Sequence, residues 1–136
     1  MDETREIENS SEQEIERPLY CFFRRGGRNY YLPVDALREV VEIKEVFPIP
    51  LAPDYIKGAI PLRGVVVPVI DLAKIYNTEV SDEEPGMLIV VEAMKEEIGF
   101  LSEGLPGFAG SDETAPEEAL IEINKFFETY MIKENI

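Results

Sequence analysis

Apolar residues fall along this chain in short runs, broken by glycine, proline and acidic stretches. Leu19-Tyr20-Cys21-Phe22-Phe23 is rich in β-forming residues. The Gly26-Gly27 pair behind it predicts a hairpin turn, because glycine supplies positive φ. Asn29 to Pro33 then returns as a second strand. Val34 to Glu39 is helix-compatible, with Asp35 near its start. Val40 to Val46 alternates apolar and charged positions, which predicts a half-exposed strand. Pro48, Pro50 and Pro53 impose an irregular connection. Ile56 to Leu62, Arg63-Gly64 and Val65 to Ile70 read as strand, tight turn, strand. The β-branched run of Val65 to Ile70 predicts a strand buried on both faces. Pro68 inside it predicts an edge position or a bulge, since proline offers no ladder N–H. Asp71 suits the cap of a short helix over Leu72 to Tyr76. Met87 to Val91 and Glu97 to Leu101 are further strands around a turn at Lys95. Pro106 to Pro116 reads as loop, Ala119 to Ile123 as a last strand, and Asn124 to Ile132 as a helix carrying Phe126, Phe127 and Tyr130 on one side.

About eight short strands with few helices predict a mainly all-β fold, a small antiparallel barrel or sandwich rather than a βαβ layout. Pro68 to Tyr76 and Ala119 to Phe127 also echo each other weakly: apolar strand, acidic residue, apolar residue, short helix.

Charge divides the chain. The net charge of −15 over 136 residues splits into −5 for residues 1–17, +1 for 18–79 and −11 for 80–136. Residues 1–17 carry little beyond Ile7 and Ile15 to bury, so they read as a disordered or loosely attached acidic arm. The domain is expected over 18–136. Strong acidity disfavours nucleic acid, which needs a basic surface. The chain has no histidine, which removes histidine bases and histidine-containing metal sites. One cysteine, Cys21, excludes an intramolecular disulfide and reads as a small core residue rather than a nucleophile. Its lone state fits a reducing cytoplasm. No phosphate-binding glycine loop is present, and no run is long enough to span a bilayer. No metal or cofactor site is expected. These exclusions favour a binding protein over an enzyme. Abundant carboxylates keep a carboxylate enzyme open as a lesser reading.

Residues 52–72, Ala-Pro-Asp-Tyr-Ile-Lys-Gly-Ala-Ile-Pro-Leu-Arg-Gly-Val-Val-Val-Pro-Val-Ile-Asp-Leu, carry a specific pattern. The stretch resembles the signature of the CheW family: proline and aromatic, Ile-Lys/Arg-Gly, Leu-Arg-Gly, then Pro-Val-Ile-Asp-Leu. Val40-Val41-Glu42-Ile43, Leu88 to Val91 and Gly99-Phe100-Leu101 resemble flanking segments of the family. The likeness covers about residues 18–103 and resumes at 119–127. It implies two five-stranded β-barrel subdomains on a shared core, here about 30–85 and about 86–136 plus the 18–29 strand. It implies a non-catalytic adaptor that couples chemoreceptors to the regulatory domain of a CheA-like histidine kinase, with a groove in the first subdomain for a helical receptor tip. Arg63, Glu42, Lys57 and Gly64 are then expected partner-binding residues, with Ile60, Leu62, Val65 and Val67 near the groove or in the core.

One departure stands out. Only Ser102 to Glu118 separates the Phe100 strand from the expected last strand. That stretch is too short and too rich in glycine and proline for the family's remaining strands. The second barrel is therefore expected to be reduced by about two strands, which leaves an open edge. Self-association through that edge is a further expectation. A shortened regulator or decoy that binds only kinase or receptor is the alternative to an adaptor.

Overall fold

The computed structural model describes residues 19–80, 86–110 and 115–132. The expected acidic arm and the Asp82-Glu83-Glu84 segment lie outside the described residues. In chain order the strands are β1 (Tyr20–Arg25), β2 (Arg28–Pro33), β3 (Leu37–Glu42), β4 (Ile56–Leu62), β5 (Val65–Ile70), β6 (Met87–Ala93), β7 (Glu96–Ser102) and β8 (Gly107–Ala109). Helix α1 covers Leu72–Tyr76. Helix α2 covers Ile123–Phe126 and runs on as a π turn over Phe127–Met131.

Local chemistry explains the joints. Gly26 and Gly27 take φ of 63° and 74°, which lets β1 fold back on β2 in full register. The Asp71 side chain accepts the Ala73 N–H and caps α1, and Asn77 ends it in the left-handed region.

The strands form two sheets, ordered β2-β1-β8 and β3-β6-β7-β5-β4. The larger sheet takes β3 to β5 from before residue 86 and β6 and β7 from after it. All its pairings are antiparallel except β5 with β7. Two cores result. Between the sheets lie Cys21, Phe23, Tyr30, Leu32, Ile70, Ile89, Val91, Ile98 and Phe100, closed by Phe126 and Phe127 of the C-terminal helix. On the other face of the larger sheet lie Ile60, Val67, Val69, Leu88, Val90 and Leu101. Strand β6 feeds both, Ile89 and Val91 one way and Leu88 and Val90 the other, so its unbroken apolar run is a two-sided strand.

Several sequence expectations need correction. β5 is not buried throughout: Val65 is 47% and Val66 69% exposed, while Val67, Val69 and Ile70 are buried. The parallel ladder to β7 begins only at Val69, so the first half of β5 stands clear of it. Pro68 sits one residue before that ladder, where a missing N–H costs little. The helical turn over Val34–Ala36 is shorter than expected, because Leu37 already pairs with Val91. Strand β3 ends at Glu42 rather than Val46, because its partner β6 begins at Met87 opposite Glu42. The expected loop 106–116 contains β8, which pairs with β1. The expected strand 119–123 is a turn over Glu117–Ala119 followed by one bridge, Leu120 to Tyr31, before the helix begins. Eight strands pair among the described residues, five in one sheet and three in the other.

Candidate functional site

The signature segment builds the edge of the larger sheet. β4 is an edge strand, and its hairpin to β5 turns through Arg63 and Gly64 with φ of 53° and 82°. Behind β4, the chain after β3 doubles back. Phe47 and Ala59 exchange backbone hydrogen bonds of 2.9 and 2.8 Å. Gly58 permits this approach, since a Cβ there would lie 2.4 Å from the Phe47 carbonyl oxygen. The glycine of the Ile-Lys-Gly motif is thus a close-packing residue.

That crossing shapes a groove of about 400 Å³ lined by Val41, Glu42, Lys44, Glu45, Phe47, Ile60, Pro61 and Leu62. β3 and β4, the two outer strands of the sheet, both reach it, so the sheet curls toward itself. Its floor is apolar. Phe47 is half exposed, and Glu42, Lys44 and Glu45 form a charged rim. An apolar floor with a charged rim suits reversible protein contact rather than chemistry on a small substrate. Among the described residues no cluster of carboxylates, cysteine or histidine could hold a metal. No described helix is long and apolar enough to cross a membrane.

A second feature lies at the hairpin tip. The Arg63 guanidinium donates to the Glu39 carboxylate and stands 4.0 Å from Glu97 Oε2. Glu97 Oε1 is buried with no hydrogen-bond partner among the described residues. Two carboxylates therefore share one arginine, beside the exposed Val65 and Val66.

The expected site residues separate into a groove set, a tip set, one exposed lysine and a core set. Glu42, Ile60 and Leu62 meet in the groove. Arg63, Gly64 and Val65 form the hairpin tip. Lys57 is exposed near the start of β4, away from both. Val67, fully buried, and Ile60, 7% exposed, are core residues. Sequence reasoning did not single out Phe47, Lys44 or Glu45 for the groove. Their signal was faint: one aromatic ahead of a proline run.

It also missed Arg25. This side chain is 4% exposed and makes a two-pronged pair with Asp71, Nε to Oδ1 at 2.8 Å and Nη2 to Oδ2 at 2.9 Å. Burial pushes the Asp71 carboxyl upward, but hydrogen bonds and charge from Arg25, with the Ala73 N–H, outweigh it and hold the group below its ordinary range. Cys21 is buried as expected, and desolvation pushes its thiol up to about 11.

Comparisons with known proteins bear on the family and the fold. Residues 19–135 match the family model described as the CheW-like domain. The chemotaxis protein CheW of Thermotoga maritima is 32% identical over 74 residues, which cover 54% of this chain and 49% of that one. The Bacillus subtilis chemotaxis protein CheW is 28% identical over 120 residues, 83% of this chain and 76% of that one. Among solved structures, the scaffolding protein TtCheW from Thermoanaerobacter tengcongensis is similar with a TM-score of 0.64 at 28% identity, covering 71% of this chain and 64% of that chain. The chain spans about half the length of the Thermotoga relative and of others like it.

Proposed function

This chain belongs to the CheW-like domain family, and from that premise we propose that it is a non-catalytic chemotaxis adaptor. In this reading it acts in the cytoplasm and couples a chemoreceptor to a CheA-like histidine kinase through protein contacts alone. The observation that carries the reading is the family match over residues 19–135. The groove and the hairpin tip support it as two distinct contact features on one sheet.

The groove receives the helical receptor tip, with Phe47 and Leu62 as apolar contacts and Glu42 at the rim. Ile60 and Val67 act from beneath by holding the groove floor in place. Arg63, Gly64 and the exposed Val65 form a kinase-facing contact. Lys57 contributes from the rim of β4. Such contacts are reversible and modest in area, and most of their energy resides in a few central residues.

A second reading has its own support. Among the described residues the smaller sheet has three strands. A chain lacking one partner surface acts as a regulator or decoy that occupies kinase or receptor without bridging them. Among the described residues no strand pairs with the outer edge of β8, and two copies would associate there.

Titration calorimetry of this chain against a CheA regulatory domain and, separately, a receptor cytoplasmic fragment tests the reading. Arg63→Glu is expected to abolish kinase binding and Leu62→Glu to abolish receptor binding, each with an unchanged circular dichroism spectrum. Unchanged affinity in both variants overturns the assignment of the contacts.

A further inference from the structure

The tip of the β1–β2 hairpin is tied to the larger sheet through a buried Arg25, although Gly27 itself is exposed. Arg25, the last residue of β1, reaches Asp71 at the end of β5. It also approaches Glu103, just past β7, with Nη1 3.7 Å from Oε2. The same Glu103 oxygen accepts the Gly26 N–H at 2.7 Å, and the Glu103 N–H donates to the Arg24 carbonyl at 2.9 Å. Gly26 leaves no room for a side chain, because a Cβ there would lie 2.3 Å from Thr78 Oγ1. One guanidinium is therefore held between carboxylates just past two strands of the larger sheet while belonging to the smaller one.

The rest of the contact between sheets is largely apolar. Apolar contact is non-directional and tolerates sliding and rotation. A buried two-pronged arginine–carboxylate pair does not, because the planar fork accepts one orientation. Such pairs add little net stability over apolar residues of similar volume, and their attested use is to fix register.

We infer that Arg25 is a positioning residue: clasped by Asp71 and Glu103, it fixes the orientation of the three-stranded sheet on the five-stranded sheet. The inference rests on the adaptor reading for its consequence only. A fixed packing of the three-stranded sheet steadies the five-stranded sheet, which carries both proposed contact features.

The test needs no partner, so its failure is separable from failure of the adaptor reading. Spin labels are placed at Asn29→Cys on β2 and Glu96→Cys on β7, both exposed, while the buried Cys21 stays unlabelled. Pulsed dipolar spectroscopy then measures the distance distribution between them. The parent chain is expected to give one narrow distance. Arg25→Lys, which keeps the charge and loses the fork, is expected to broaden the distribution at least twofold with its circular dichroism spectrum retained. The apolar pair Arg25→Met with Asp71→Leu is expected to do the same, with a melting temperature lowered only by the loss of the Asp71 cap on α1. An unchanged width in Arg25→Lys overturns the inference, whatever the double variant does. So does unfolding of Arg25→Lys, because Arg25 would then hold the fold itself rather than the orientation of its sheets.

Discussion

Asp71 closes the signature motif, caps α1 through the Ala73 N–H and receives both prongs of Arg25. Removing one member of such a pair leaves a buried charge alone. Asp71→Asn is expected to lower stability by about 3–5 kcal/mol in urea denaturation, the usual range for breaking a buried pair. The pH dependence has a definite sign. The folded carboxyl titrates below its ordinary value of 3.8. Its stabilisation is therefore complete above that value and is lost as pH falls through the lower folded one. Urea midpoints from pH 7 to pH 2 are expected to drop more steeply below pH 4 in the parent chain than in Asp71→Asn. Cys21, buried and with its thiol pushed up to about 11, is expected to react with a disulfide reagent only as fast as the chain opens. Rapid labelling in native buffer would contradict its place in the core. At this scale the sequence showed Cys21 and the Asp71 cap, because both follow from local chemistry. It hid Arg25, since nothing near a Gly-Gly turn distinguishes a solvated arginine from one reaching a carboxylate 46 residues away.

At the scale of elements, the hairpins, β6, β7 and α1 were legible because turn glycines and capping residues act within a few positions. β8 was not legible. Its Gly-Phe-Ala sequence lies in a glycine- and proline-rich stretch, and it becomes a strand only because the edge of β1 is there to pair with. The 119–123 segment failed for the opposite reason: a β-like sequence meets β2 at a single residue and turns into helix. Burial across β5 was misread because a β-branched run shows only that a strand fits, not how far its neighbour extends. Close packing at two glycines gives a direct check on the larger sheet. A Cβ at Gly58 meets the Phe47 carbonyl, and one at Gly99 lies 2.6 Å from Leu88 side-chain atoms. Gly58→Ala and Gly99→Ala are each expected to cost about 1–3 kcal/mol, the range for overpacking, read as a lowered melting temperature. In Gly58→Ala, hydrogen exchange is expected to rise first at the Phe47 and Ala59 amides, while Gly99→Ala leaves those two protected. By contrast Val66→Ser, at an exposed position, is expected to stay within about 0.5 kcal/mol of the parent chain.

For the molecule as a whole, the signature segment explains more than its own hairpin. Its glycine lets the chain after β3 cross β4 and shape the groove, its arginine turns the tip, and its aspartate meets Arg25 of the other sheet. The asymmetry of charge fits this arrangement. The near-neutral stretch 18–79 contains every groove-lining residue and Arg63, and the −11 of residues 80–136 lies beyond it. The family was legible because those twenty-one residues are specific. The full lining of the groove was not, because Lys44, Glu45 and Phe47 meet Ile60 to Leu62 only through the crossing behind β4. The central claim is that one chain bridges two proteins. Sedimentation velocity on a mixture of this chain, a CheA regulatory domain and a receptor cytoplasmic fragment measures that directly. The account expects a single boundary heavier than either binary complex, lost when Arg63→Glu replaces the parent chain. Two separate binary boundaries with no heavier species, or binding of only one protein, would contradict it and leave the regulator reading in its place.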